Sequence, residues 1–199
     1  MMARQSSEYK RPSSNEIIVL RRYFEKMFEA ATFFNRYFRN KVVHYGTDND
    51  MVAIHFSTTN FMHLCGIDYR KGPASFFDDC LLRHLVVDGM MIKRDGTTFQ
   101  KLQVLGSVGE LIGQYVHLTQ SGRYLYLEFD YALRTKKQIL ALTLKDTRSK
   151  VVPQSLLNLK RQKTFPIGAP VQCIYAKYLN SNQIEIYYLR ENRDFSEFL

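Results

Sequence analysis

One stretch in the first third of the chain, residues 51–67, passes from a strand pattern to a helix pattern. Its first six residues, MVAIHF, alternate so that one face is apolar throughout, which is typical of a strand. The next four, STTN, are types that cap helices and form turns. Phe61, Leu64 and Cys65 then follow at helical spacing, and Gly66 favours the helix end. The stretch therefore predicts a strand followed by a short helical segment.

His63 lies within this segment, on the side of the helix opposite the three apolar residues. The apolar side chains anchor the helix and leave the imidazole outside the core, at the end of a strand. A catalytic group would be useful at this position. An exposed histidine without a function would occupy the same position, and the spacing alone leaves both interpretations open.

The charge of the chain favours an anionic partner. The 199 residues carry a formal net charge of +9, with a sequence pI near 9.5. Nucleic acid is favoured ahead of a membrane surface, and a basic protein without such a partner stays open as an alternative. The three cysteines lie far apart in apolar runs, which favours buried thiols in a reducing cytosol over disulfides or zinc.

The ends and the hydropathy of the chain predict its location. Residues 1–13 are polar and basic, without the apolar segment of a signal peptide, and we expect a disordered arm there. No apolar run approaches ~18 residues, so we expect no membrane span and a cytoplasmic location.

Helices are predicted mainly in the first half of the chain. A long helix over 16–40, capped by Ser14 or Asn15, carries an aromatic stripe typical of a core. Further helices are predicted over 74–88 and over 99–113, the latter capped by Thr97 or Thr98. His84 falls in the apolar face of the second helix, so we expect it to be buried.

The second half predicts strands. They are expected over 115–119, 124–131, 139–145, 171–179 and 184–189. Asn180-Ser181-Asn182 predicts a hairpin turn, residues 134–137 a basic hairpin loop, and residues 153–157 a short turn. These elements predict an α+β fold, with N-terminal helices followed by a small twisted antiparallel sheet.

The chain lacks the motifs of several enzyme classes. It contains no GxGxxG, GxxxxGK[ST], HExxH or GxSxG sequence and no cluster of acidic residues. Any chemistry would rest on His, Lys, Arg, Tyr and Thr. That set suits RNA cleavage without a metal, in which a base and an acid move protons and cations stabilise the phosphorane.

The segment NFMHLCGI, residues 60–67, resembles the NFxHLxGI-type motif of a phage-associated nuclease-like family. The family belongs to the barnase–EndoU–colicin–RelE-like (BECR) superfamily. Three further segments resemble the family in the same order: FFDDCL over 76–81, TTFQKL over 97–102 and VPQSLL over 152–157. The resemblance covers roughly residues 50–180 and leaves the first 45 residues outside.

The resemblance implies helices followed by a small antiparallel sheet and a ribonuclease activity. Separately, we expect no cofactor. The resemblance also implies that His63 matches the family's histidine. On this basis the chain is expected to form one domain over 14–199, with an N-terminal helix within 14–44 and a nuclease-like core over 50–190.

The leading hypothesis is a metal-independent ribonuclease of phage or mobile-element origin, a toxin or abortive-infection factor with RNA as partner. His63 would be the general acid or base. The residues expected to contact or orient phosphate, chosen for their place on the predicted 124–145 hairpin or beside it, are Arg134, Lys136, Thr143, Lys145 and Ser155.

Two other readings stay open: a non-catalytic nucleic-acid-binding protein on the same scaffold, and a protein that captures a host factor. An antitoxin or a host factor is a further candidate partner. An enzyme is favoured if His63 lies within ~8 Å of two basic or hydroxyl groups in an open cleft.

Overall fold

A computed structural model of the protein describes residues 8–135, 139–160 and 164–199. The helices within these residues are α1 (Ser14–Arg21), α2 (Phe24–Tyr37), α3 (Thr58–Cys65), α4 (Pro73–Leu81) and α5 (Thr97–Leu105), with 3-10 helices at Val108–Ile112 and Phe195–Phe198. The strands are β1 (Tyr9–Lys10), β2 (Lys41–Gly46), β3 (Met51–His55), β4 (Ile67–Tyr69), β5 (Met90–Lys93), β6 (Val116–Thr119), β7 (Gly122–Tyr124), β8 (Leu127–Phe129), β9 (Tyr131–Thr135), β10 (Leu140–Asp146), β11 (Val151–Asn158), β12 (Ala169–Pro170), β13 (Cys173–Tyr178) and β14 (Ile184–Leu189). None of these helices is long and apolar enough to cross a membrane.

The central stretch folds as its sequence predicts. Strand β3 leads into α3, and the side chain of Ser57 caps the helix by accepting a hydrogen bond from the backbone N–H of Thr59. Gly66 ends the helix with φ 67° and ψ 30°, a left-handed conformation that glycine adopts without a steric cost.

The long helix predicted over 16–40 is present but divided in two. Ser13, one residue before the predicted caps, is the N-cap of α1. The backbone N–H groups of residues 22 and 23 bond to carbonyls three residues earlier, which tightens the chain between α1 and α2. Helix α2 then carries the aromatic stripe into the core, where the ring of Phe34 stacks on that of Phe56 with centroids 4.9 Å apart.

Nine strands form one mixed sheet in the order β12-β6-β9-β10-β11-β3-β2-β13-β14. All neighbours are antiparallel except β11 and β3, which are parallel and share one registered pair, Val151 and Ile54. The α+β class is confirmed, but the expected small antiparallel sheet is wrong, because the sheet is larger and mixed. The difference comes from long-range pairing: β2 and β3 insert between two strands of the second half, which no local pattern indicates.

Two segments of the second half differ from their predicted form. The turn expected over 153–157 lies inside β11, where Pro153 borders a shift of register against β10; such a bulge accommodates a residue without an N–H. The strand expected over 124–131 is divided, because Leu125 has φ 53° and the chain reverses there between β7 and β8. The strand predicted over 139–145 and the hairpin across 180–182 are confirmed as β10 and as β13–β14.

Helix α4 ends at Leu81 instead of 88, and this changes the surroundings of His84. Arg83 has φ 59°, so the chain leaves the helix, and the N–H of His84 donates to the carbonyl of Asp79 at 2.8 Å. His84 is exposed. The expectation that it would be buried is therefore wrong.

The helix predicted over 99–113 is also shorter, since α5 ends at Leu105 and a 3-10 helix follows. Its N-cap residue is Gly96, not Thr97 or Thr98. The hydroxyl of Thr98 is buried instead, where it donates to the carbonyl of Gly66 and accepts from the N–H of Lys93.

The expected disordered arm is wrong for residues 8–13. Strand β1 pairs with β5, and Tyr9 is buried opposite Lys93. The ammonium of Lys93 lies 4.5 Å from the centroid of the Tyr9 ring and 2.6 Å from the carboxylate of Glu8. Residues 1–7 lie outside the described residues.

The helices pack on one face of the large sheet. The main apolar cluster combines Met27 and Phe34 of α2 with Ile54 of β3 and Leu142 of β10. On the opposite face, one small cluster lies beside the hairpin β7–β8 and another beneath the C-terminal 3-10 helix. The strands between these two clusters, β2 and β3, place half-buried histidines on that face.

Alanine substitutions at Gly66 and at Gly96 test whether α5 constrains the C-terminal end of α3. Both glycines have left-handed φ angles, 67° and 79°. A Cβ at Gly66 would lie 3.2 Å from the Cα of Thr98, whereas a Cβ at Gly96 would have no neighbour within 4 Å. We expect Gly96→Ala to lower the free energy of unfolding by about 1 kcal/mol and Gly66→Ala by about 2 kcal/mol or more, measured by urea denaturation. Equal losses would show that α5 does not constrain this helix end.

Candidate active site

His63 lies on the solvent side of α3. Phe61, Leu64 and Cys65 have no exposed surface, whereas His63 is exposed. The buried side chains hold the helix against the core, so the imidazole is positioned by a rigid element while it remains accessible to a ligand.

Helix α5 closes the carboxyl end of α3. The ammonium of Lys101 donates a hydrogen bond to the carbonyl oxygen of His63 at 2.9 Å, and the hydroxyl of Thr98 donates to the carbonyl of Gly66. Carbonyl groups at a helix end lack partners within the helix, and a cation is favourable beside them. The charge of Lys101 is thereby held next to His63.

The charges around His63 change its titration. Partial burial of the ring lowers the pKa of His63 below its ordinary value, and the positive charges of Lys101 and Lys93 lower it further. The carboxylate of Asp68 acts in the opposite direction. The net shift favours the neutral imidazole, the form that can accept a proton.

Lys101 is half-buried, and its ammonium is unusually acidic. Burial, together with the charge of Lys93, lowers the pKa of Lys101 to about 8. Lys93 is neutralised by Glu8, whereas Lys101 forms no ion pair with a carboxylate in the described part of the chain. Lys101 is therefore protonated at pH 7 but releases its proton more readily than an ordinary lysine does.

A cleft of about 520 Å³ has Asp68 on its wall. Its lining includes the guanidinium-bearing residues Arg11, Arg21 and Arg70 together with apolar side chains. Arg70 lies 3.6 Å from the carboxylate of Asp88, in an exposed ion pair. The cleft combines positive charge with apolar surface, and the same Asp68 acts on the pKa of His63.

The comparison with protein families identifies the group to which this fold and site belong. The family model described as phage-Barnase-EndoU-ColicinE5/D-RelE like nuclease4 matches residues 26–193. The chain belongs to this family of phage-associated nucleases. Comparisons with curated proteins and with solved structures found no match. The match begins within α2, so the expectation that the first 45 residues lie outside the resemblance is wrong for residues 26–45.

Two of the segments that resemble this nuclease family meet at the site. NFMHLCGI supplies His63 and Gly66, and TTFQKL supplies Thr98 and Lys101. Lys101 was not predicted as a site residue, although it lies in the second of these segments. Lys93 and Asp68 come from the short strands β5 and β4, which no sequence pattern predicted.

Three of the five residues expected to contact or orient phosphate are buried in the structure. Arg134, Thr143 and Ser155 are only 4%, 0% and 8% exposed. Arg134 donates to the carbonyl of Pro166 at 2.9 Å, and Thr143 donates to the carbonyl of Ser155 at 3.2 Å. Their expected surface position is wrong, because the segment at Phe165 and the β7–β8 hairpin pack over this face.

The other two residues expected to contact phosphate are lysines. Lys145 is exposed at the end of β10, and its ammonium pairs with the carboxylate of Asp130 at 3.1 Å. Lys136 lies outside the described residues.

The electrostatic description of His63 predicts opposite effects for two substitutions. Lys101→Met removes a positive charge and should raise the pKa of His63, whereas Asp68→Asn removes a negative charge and should lower it. Titration of the histidine ring protons by NMR measures both shifts, with exposed His84 as the internal control. Shifts of the same sign in both variants would contradict the assigned causes.

Proposed function

We propose that this nuclease cleaves RNA without a metal, with His63 as the general base and Lys101 as the general acid. Membership of the nuclease family supports the proposal. The observation that carries it is an exposed imidazole whose pKa is lowered by partial burial and by the charge of Lys101, with the Lys101 ammonium bonded to the main-chain carbonyl of His63.

The proposed reaction is an internal transfer at one phosphate. His63 removes the proton from a 2′-hydroxyl, and the oxygen attacks the adjacent phosphorus. The bond from phosphorus to O5′ breaks, and O5′ takes a proton from Lys101. The products are a 2′,3′-cyclic phosphate and a 5′-hydroxyl, and solvent then restores both protonation states. The charges of Lys101 and Lys93 favour the phosphorane, which carries more negative charge than the diester.

Lys101 has the hydrogen-bonding capacity for this role. An ammonium group has three N–H donors, and one of them is used on the carbonyl of His63. Two donors remain for a phosphate oxygen and for the leaving oxygen. The bond to the carbonyl limits the motion of the side chain, so the acid is oriented before the substrate binds.

The substrate assignment rests on chemistry and charge. An imidazole that activates a 2′-hydroxyl requires RNA, because DNA lacks that group. The net charge of +9 favours a polyanion, and the cleft that contains Arg11, Arg21 and Arg70 offers guanidinium groups for the phosphates on one side of the cut.

The biological role is proposed on the phage association of the family. A ribonuclease carried by a phage or another mobile element acts as a toxin or as an abortive-infection factor when it cuts cellular RNA. Such a role implies a cytoplasmic site of action and a partner that restrains the enzyme, an antitoxin or a host factor.

His63→Ala should lower the rate of RNA cleavage by about 10²- to 10⁴-fold, the typical cost of losing one acid–base group. RNA affinity should stay within a few-fold, and the melting temperature should barely change, because the side chain is exposed. Cleavage of a labelled RNA in EDTA measures the rate, and His84→Ala, another exposed histidine, is the matched control. If the variant cuts as fast as the wild type, or the wild type cuts nothing, the protein is a binding module instead.

The pH dependence of cleavage should show two limbs. Activity should rise with pH as His63 loses its proton, at a pKa below 6.5, and should fall as Lys101 loses its proton, at a pKa of about 8. In Lys101→Arg the alkaline limb should disappear, because a guanidinium keeps its proton throughout this range. An alkaline limb that persists unchanged in the variant would exclude Lys101 as the acid.

A further inference from the structure

A second group of cationic and titratable side chains lies on the sheet face that the helices leave uncovered. Val43 and Ile54 point into the core with no exposed surface, so their strand neighbours His44 and His55 point the other way. In the register of the sheet, His44 lies between Tyr175 of β13 and Ala53 of β3.

A cleft of about 260 Å³ opens beside His55, near the junction of β3 and β11. These two strands share only the pair Ile54 and Val151, so within the described residues the first half of β3 has no strand partner on that side. The turn between β10 and β11 lines the cleft with Arg148 and Lys150. The cleft thus combines an open strand edge with an imidazole and two cationic side chains.

The turn that carries these cations is held by its own hydrogen bonds. The hydroxyl and the backbone N–H of Thr147 both donate to the carbonyl of Lys150 at 2.9 Å. The backbone N–H of Arg148, whose φ is 71°, donates to the carboxylate of Asp146 at 2.7 Å. These bonds use main-chain groups and the Asp146 carboxylate, and they leave the charged ends of Arg148 and Lys150 free to contact a ligand.

The two cations that line the cleft stand beside one carboxylate, that of Asp146, which also lines the cleft and accepts the backbone N–H of Arg148. Lys145 and Arg193 pair with carboxylates at 3.1 and 3.0 Å, whereas neither Arg148 nor Lys150 forms an ion pair with any residue that the structure describes. Burial, followed by the charge of Lys150, lowers the pKa of His55, so that charge acts on the imidazole. Two cations beside one carboxylate leave a net positive charge in the cleft, which favours a bound anion.

The surface next to the cleft also carries titratable and cationic side chains. The ring of His44 stacks on that of Tyr175, with centroids 4.5 Å apart and planes 3° from parallel. The Nδ1 atom of His44 is buried and has no hydrogen-bond partner among the residues that the structure describes. The ammonium of Lys177 lies 5.7 Å from the centroid of the same Tyr175 ring. A nucleic-acid strand that crossed the sheet from β3 to β13 would therefore leave the cleft and meet further polar and cationic groups.

We propose that the cleft binds a phosphate of the RNA backbone, as an anchoring site separate from His63. Arg148 and Lys150 contact the phosphate oxygens, and the N–H of the His55 imidazole donates to the same group. The site contributes affinity and takes no part in proton transfer. The proposal rests on the proposed function for the identity of the ligand as RNA.

The test measures binding of a 12-nucleotide RNA that carries a 2′-O-methyl group on every residue and so cannot be cut through its 2′-oxygen. Arg148→Gln combined with Lys150→Gln should weaken binding by about 10- to 25-fold at ~0.1 M salt and reduce the slope of log K against log salt by about 1.4. Arg22→Gln combined with Lys26→Gln removes the same charge from the helical side of the molecule and should stay within twofold of wild type.

The proposal is overturned if the cleft variant binds within twofold of wild type, if the control variant loses as much affinity, or if wild-type protein does not bind the probe. Melting temperatures of both variants verify that they are folded. Cleavage of unmodified RNA is measured separately, and a protein that binds through the cleft and cuts nothing would refute the His63 mechanism alone. A His63-dependent nuclease with an unaffected cleft variant would refute this site alone.

Discussion

Strand β3 joins the two halves of the large sheet, and both candidate sites depend on that junction. One edge of β3 pairs with β2, and the other meets β11 at the single pair Ile54 and Val151. The chain then passes from β3 into α3 within two residues, and the first of them, Phe56, is packed between the rings of Phe34 and Phe77. The same apolar packing therefore positions both the cleft beside β3 and the helix that carries His63.

The chemistry at His63 depends on a small set of charges contributed by distant parts of the chain. Lys101 comes from α5, Lys93 from β5 and Asp68 from β4, and their opposing effects set the pKa of the imidazole. Strand β1 takes part through Glu8, whose carboxylate holds the ammonium of Lys93. The first described residues thus influence the potential around the base, although they lie outside the part of the chain that matches the nuclease family.

Local features of the fold could be predicted from sequence where a single pattern runs through neighbouring residues. The step from β3 to α3, the exposure of His63 and the strand at 184–189 all follow from alternation, capping residues and helical spacing. His84 was predicted wrongly because the left-handed residue Arg83 ended the helix, and Pro153 suggested a turn where a bulge accommodates it inside a strand. The position of a residue that depends on partners far along the chain could not be derived in this way.

That limit is clearest for the candidate sites. His63 could be selected because its helix contains its own anchoring residues, whereas Lys101 acquires its low pKa from burial against segments that are remote in sequence. Arg134 and Thr143 were selected as polar residues of a predicted hairpin. Thr143 lies in a strand as predicted, whereas Arg134, expected in a hairpin loop, lies in β9. The cover over that face comes from a segment some 30 residues later, at Phe165 and Pro166. Sequence patterns indicated the local conformation but not the segment that packs over it.

The central claim is that the 2′-hydroxyl next to the cut phosphate is the nucleophile. The most direct measurement uses an RNA oligonucleotide with one mapped cleavage position and compares it with an otherwise identical strand that carries a single 2′-deoxy nucleotide there. The account predicts that cleavage at that position stops while binding of the strand is retained. Cleavage that continues at the deoxy position would show that another nucleophile attacks the phosphate, and would contradict the role given to His63.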